Sequence, residues 1–217
     1  MIEYWTAGCM ARRYEWLKTD DGFAALVALG RCLNQMRFGT FTIEQNEDDG
    51  SPASIRQLVG ALFVVAAALP EGIDLAQKHL RRRYHRYPEF DTLAAVWKNP
   101  ENRVFLDDRV RPLRNRAVSH FDPDETKRQM SQLTITDECV FAEGRSDSFH
   151  DLHYKLSDAL ALMTFVGDCE SETQLRERLQ QSAIKLGKVA SEFIVAADGL
   201  IGAVLHDYGF ETHDRRA

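Results

Sequence analysis

Residues 179–204, LQQSAIKLGKVASEFIVAADGLIGAV, decide the fold. From Leu179 through Ala183, Leu186, Ala190, Phe193, Ala197, Leu200 and Val204, apolar positions advance by alternating steps of four and three. That is the period of a helix burying one stripe against its neighbours. Leu175 extends the seam one step earlier, so a long C-terminal helix is predicted. Gly187, Gly199 and Gly202 interrupt it, each lowering intrinsic helix propensity by roughly 1 kcal/mol relative to Ala. In compensation, they would permit close approach of neighbouring helices.

Upstream, helical patterning continues and its punctuation falls where helices start or stop. From Asp151, the positions Leu152, Leu156, Ala159, Met163 and Val166 recur at helical spacing. Phe23 to Met36 is apolar and Ala-rich and is expected to end near Gly39, before the acidic loop Glu44 to Gly50. Ser51-Pro52 reads as an N-cap followed by proline at the first helical position. The apolar helix it opens is expected to run to about Leu69, with Pro70 starting the next.

That next helix carries Lys78, Arg81, Arg82, Arg83 and Arg86, interleaved with His79, Tyr84, His85 and Tyr87. Two readings stand side by side: a solvated helix end complementing the dipole, and a patch that tracks a phosphate backbone and stacks bases on its aromatic rings. Asp91 to Trp97 is a short amphipathic piece ending at the Asn99-Pro100 break. Pro112 is expected to start a helix to about Phe121, and Asp122-Pro123-Asp124-Glu125 to start another. Leu133, Ile135, Cys139 and Phe141 alternate with polar residues, which suggests a β-hairpin around Asp137-Glu138, too small to set the fold. The expected fold is therefore all-α: a helical bundle, with a long C-terminal helix and a small β-hairpin insertion, in one domain over residues 1–217. No internal repeat, low-complexity tract or linker divides it.

Composition narrows the function. The chain has 217 residues, 44% hydrophobic, and a formal net charge of -6, so any nucleic-acid contact must be local. Cys9, Cys32, Cys139 and Cys169 lack the paired spacing of a zinc site or a disulfide framework. His150 and His153 could share a metal, but no third ligand is apparent, so neither metal nor cofactor is expected. Gly199-Leu200-Ile201-Gly202 lacks the Lys-Ser/Thr ending of a phosphate loop. Glu3 argues against a secretory leader, and the apolar run Leu58 to Leu69 is too short for a bilayer. A cytoplasmic location without a membrane segment is expected.

One segment carries candidate chemistry: Leu113-Arg114-Asn115-Arg116-Ala117-Val118-Ser119-His120-Phe121-Asp122. A fixed cation, an amide and a titratable imidazole lie close together, the groups that metal-free phosphodiester cleavage requires. At about 100° per residue, Arg114 and His120 lie roughly 120° apart on an ideal helix. A bent helix or a second subunit would bring them together. The alternative is a satisfied corner, in which Arg114 or Arg116 pairs with Asp107, Asp108 or Asp122 and His120 caps the helix.

Arg114-Asn115, five intervening residues and then His120 resemble the signature of the HEPN superfamily, in the setting of apolar helices before and long helices after. The resemblance implies a homodimeric, metal-independent endoribonuclease of the abortive-infection or toxin type, with two motifs meeting in one cleft. It also implies His120 as the proton-transfer group, Arg114 as the group neutralising the phosphorane and Asn115 as the orienting group. Arg116 adds a phosphate contact, Lys78, Arg81, Arg82, Arg83 and Arg86 form the candidate RNA-binding set, and an antitoxin protein is a candidate partner. The competing class is a helical module that binds nucleotide, RNA or protein without cleaving it.

Overall fold

The computed structural model describes residues 3–46, 52–115, 127–128, 130–131, 155–167 and 172–216. In chain order these form β1 (Glu3–Gly8), α1 (Ala11–Leu17), α2 (Asp21–Asn46) and α3 (Pro52–Leu75). A π turn at Ala76–Leu80 joins α3 to α4 (Arg81–Tyr84), and α5 (Pro88–Lys98) follows. Next come α6 (Pro100–Phe105), a second π turn at Leu106–Val110, and α7 (Arg111–Leu113). The last elements are α8 (Lys155–Val166), α9 (Glu172–Asp207) and β2 (Glu211–Arg216). The fold is all-α, as the periodicity predicts.

The apolar seam from Leu179 to Val204 is the inner stripe of the 36-residue α9. Leu186, Ala190, Phe193, Ala197, Leu200 and Val204 have no solvent exposure. They pack mainly on α5 and also on α2 and α3, within one core shared by helices from both halves of the chain. Phe193 lies beside Trp97 of α5, ring centroids 6.5 Å apart. It also sits beside Gly72 of α3, where an added Cβ would come within 3.0 Å of its ring.

Several local stop signals are overridden by this packing. Gly39 does not end α2, which runs on to Asn46. Its missing side chain lets α2 approach α3, since a Cβ there would lie 2.4 Å from Val65 Cγ2 and 3.1 Å from the Ala61 carbonyl. Pro70 does not start a helix either; it is buried inside α3. An interior proline costs a backbone hydrogen bond and crowds the preceding turn, but Leu69 and Ile73 anchor this stretch in the core. Likewise Pro112 lies within the helical path from Pro100 to Asn115, just past the second π turn, where the ordinary ladder is already interrupted. The Asn99-Pro100 break does hold: Asn99 Oδ1 accepts from the Glu101 and Asn102 amides at 2.9 and 3.3 Å.

The glycines of α9 behave unlike Gly39. Neither Gly187 nor Gly202 has any heavy atom within 4 Å of an added Cβ, and at Gly199 the nearest is Glu89 Cγ at 3.9 Å. The close approach expected at these positions is made by Gly39 and Gly72 instead. Gly187→Ala and Gly202→Ala are accordingly expected to stabilise the fold by about 1 kcal/mol each through helix propensity. Gly39→Ala should destabilise it, because Val65 is buried and stiff at χ1, and overpacking costs about 1–3 kcal/mol. Urea midpoints of the three variants check the opposite signs.

Two features lay outside the sequence expectations. β1 and β2 pair antiparallel, Glu3 opposite Arg216 and Gly8 opposite Glu211, joining the two ends of the chain. Because α3 continues through Pro70, the helical stretch Arg56–Tyr84 is long and apolar enough by length and composition to cross a bilayer, as is Glu177–Asp207. Core helices pass the same test, and 56% and 44% of the two apolar windows are buried within the bundle. The hairpin expected around Asp137-Glu138 and the helix start at Asp122 lie outside the described residues.

Candidate functional site

The helical run from Pro100 to Asn115 lies against α3 and is tied to it by alternating charges. On α3 the acids Glu71 and Asp74 are followed by Lys78 one turn beyond Asp74. Facing them are Arg103, Asp107, Arg111 and Arg114. Arg111 Nη2 donates to Asp74 Oδ1 at 3.2 Å, and Lys78 Nζ donates to the other oxygen at 3.3 Å. Arg111 Nε also lies 3.3 Å from Asp107 Oδ1, while Arg103 Nε stands 3.8 Å from Asp107 Oδ2. Burial alone would raise the Asp74 carboxyl, but the bond from Lys78 and the nearby Arg111 guanidinium hold it below its ordinary range.

Arg114 is the next rung. Its Nη2 donates to Glu71 Oε2 at 2.6 Å, with the Arg114 side chain a quarter exposed and that of Glu71 half exposed. The partner is an acid 43 positions away rather than Asp107 or Asp108. Such a charge-assisted bond is short and directional, yet in a partly solvated setting it contributes no more than about 1 kcal/mol. Five N–H donors make a guanidinium fork, and Glu71 accepts from one of its nitrogens. Asn115 follows it, exposed, in π geometry. Arg116 and His120 lie outside the described residues, as do Asp122, His150 and His153.

The basic stretch divides. Arg83 is ion-paired with Asp20, whose Oδ1 also caps α2 by accepting from the Phe23 amide at 2.8 Å. Tyr84 is buried, its hydroxyl 2.9 Å from that of Tyr208. Burial first, and then that hydrogen bond, push its ionisation far up. Tyr87 donates to Asp207 Oδ2 at 2.6 Å, a bond that raises its pKa to about 12, and it packs edge-on against Tyr84. The interleaved tyrosines are thus seams between α4, the turn before α5 and the end of α9, rather than free surfaces for stacking bases. Arg81, Arg82 and Arg86 remain exposed, with no ion pair among the described residues.

Among the described residues, no group of three His, Cys, Asp or Glu is placed to hold a metal ion. The acids that organise this site, Glu71 and Asp74, were missed in the sequence reading. Their signal was present: two carboxylates three residues apart, breaking an otherwise apolar helix. No family model, no curated protein and no solved structure matches this chain.

Proposed function

We propose that the chain is a metal-independent endoribonuclease of the HEPN type, acting in the cytoplasm as the toxic element of a phage-defence or toxin-antitoxin system. The observation that carries this reading is the placement of Arg114 and Asn115. They are consecutive residues in the helical run that follows Pro100 in an all-α bundle, Arg114 partly exposed and Asn115 exposed. In the proposed mechanism His120 takes the proton from an RNA 2'-hydroxyl, which attacks the adjacent phosphorus. The bond to the 5'-oxygen breaks, and that oxygen leaves as a hydroxyl once it is reprotonated. Arg114 neutralises the charge gathered on the phosphorane and Asn115 orients it. A homodimer supplies the second copy of the motif, Arg116 with Arg81, Arg82 and Arg86 draws in the RNA strand, and an antitoxin covers the cleft.

Single-stranded RNA incubated with the purified protein in EDTA is expected to yield 2',3'-cyclic phosphate ends. His120→Ala should abolish this while the circular dichroism spectrum is unchanged. Cleavage that needs a divalent cation, or that survives His120→Ala, overturns the reading. The second reading, an RNA- or protein-binding module, is favoured by the Glu71 contact, which already engages Arg114. Its signature is RNA binding with no cyclic phosphate product.

A further inference from the structure

We propose that the cavity between the two π turns is a binding site for a small organic anion, a carboxylate or phosphate head on an apolar body. The cavity has a volume of about 340 Å³ and is lined by Ile73, Gln77, Trp97, Arg103, Leu106, Asp107 and Arg111. Gln77 belongs to the first π turn, Leu106 and Asp107 to the second. Short π segments inside helices occur frequently at functional sites. Here two such segments from separate helices border the same space.

The lining chemistry selects the ligand. Of the lining residues, the Arg103 and Arg111 guanidiniums share one carboxylate, Asp107; Asp74 also engages Arg111 but is itself engaged by Lys78, so three cations face two carboxylates and the network keeps a net positive charge. Arg111 is well engaged by Asp74 and Asp107 and is thereby fixed in place. Arg103 is not: its contact with Asp107, at 3.8 Å, is beyond hydrogen-bond length, and its side chain is 75% exposed. Its donors are therefore available to an incoming anion, for which a guanidinium fork is well shaped. Ile73 and Leu106, buried, close the floor of the cavity, Trp97 offers the partly exposed ring against which the rest of the molecule packs, and Gln77 offers a neutral donor and acceptor. The volume lies at the lower end of ligand pockets, about 300–1,000 Å³, which limits the occupant to a small molecule. None of these residues belongs to the proposed Arg114, Asn115 and His120 centre, so this site stands or falls independently of ribonuclease activity.

Phenyl phosphate and phenylacetate, with benzyl alcohol as the uncharged control, probe the intact chain by calorimetry and by Trp97 emission. Saturable binding of at least one anion is expected, with benzyl alcohol binding much more weakly. Which anion binds more tightly identifies the head group. Arg103→Gln should weaken binding roughly 10–100-fold, the range for losing a charge-assisted hydrogen bond. Because Arg103 is so exposed, that variant should keep the parent melting temperature. Arg111→Gln should weaken binding at least as much, and Trp97→Phe should remove the emission change while calorimetric binding persists. No binding by either anion, equal binding of benzyl alcohol, or affinity untouched in Arg103→Gln overturns the proposal.

Discussion

Phe193→Ala is expected to lower the unfolding free energy by about 3–5 kcal/mol, the usual range when a buried phenyl ring leaves a cavity that its surroundings cannot close. The site has little freedom to collapse. Phe193 has no solvent exposure and lies where three helices meet: its own α9, Trp97 of α5 and the side-chain-free Gly72 of α3. Ala at 193 leaves Gly72 facing empty space, with no side chain of its own to fill it. For a chain of this length the loss corresponds to a fall in melting temperature of about 6–20 °C. Val195→Ala, two residues along on the same helix but 73% exposed, should stay within about 0.5 kcal/mol of the parent. Thermal melts of the two variants give the comparison. A cost below about 1 kcal/mol for Phe193→Ala would show that this ring does not seat α9 on α3 and α5.

The contrast between those two positions was legible in the sequence, because the stripe from Leu186 to Val204 repeats often enough to fix which face is buried. Val195 falls off that stripe and Phe193 falls on it. Single punctuation marks were less informative. Gly39 and Pro70 have the local chemistry of helix ends, yet both lie inside long helices, where the contacts of Val65, Leu69 and Ile73 outweigh a propensity cost of a few kcal/mol. The terminal ladder was not legible, since it pairs Glu3–Gly8 with a segment about 200 positions away and neither strand carries a strong alternating pattern.

The same limit governed the site. Spacing singled out Arg114 and Asn115 as candidates on a helix expected to run from Pro112 to about Phe121, but it offered only nearby acids as partners. The partner found, Glu71, comes from α3, and its register against Arg114 depends on packing between helices that short-range spacing does not encode. Asp107 was available in sequence, but Arg111, four residues on, is the arginine closest to it. The tyrosines of the basic stretch misled for a related reason. A ring beside arginines looks suited to stacking on a base until Tyr208 and Asp207 arrive from the far end of the chain to occupy its hydroxyl.

On the ribonuclease reading proposed above, Arg114→Ala is expected to reduce the cleavage rate about 10²–10³-fold, the range for removing one preorganised donor to a developing oxyanion. Its effect on stability should be small, because the bond to Glu71 lies at a partly solvated surface, where such pairs contribute about 0–1 kcal/mol. This difference in scale separates the two roles the guanidinium can have. If Arg114 merely braces α7 against α3, then Arg114→Ala and Glu71→Gln should cost similar, small amounts of stability, and neither should alter RNA turnover. If it serves phosphate, the two substitutions diverge. Glu71→Gln keeps an oxygen that accepts from Arg114 but removes the negative charge that competes with phosphate, so the KM for RNA should fall while kcat holds. Arg114→Lys keeps the charge and loses the planar fork, and should recover only part of the lost rate. Rate and melting temperature measured together on these three variants test the pair, because a bracing contact cannot produce a large loss of rate at one end and tighter RNA binding at the other.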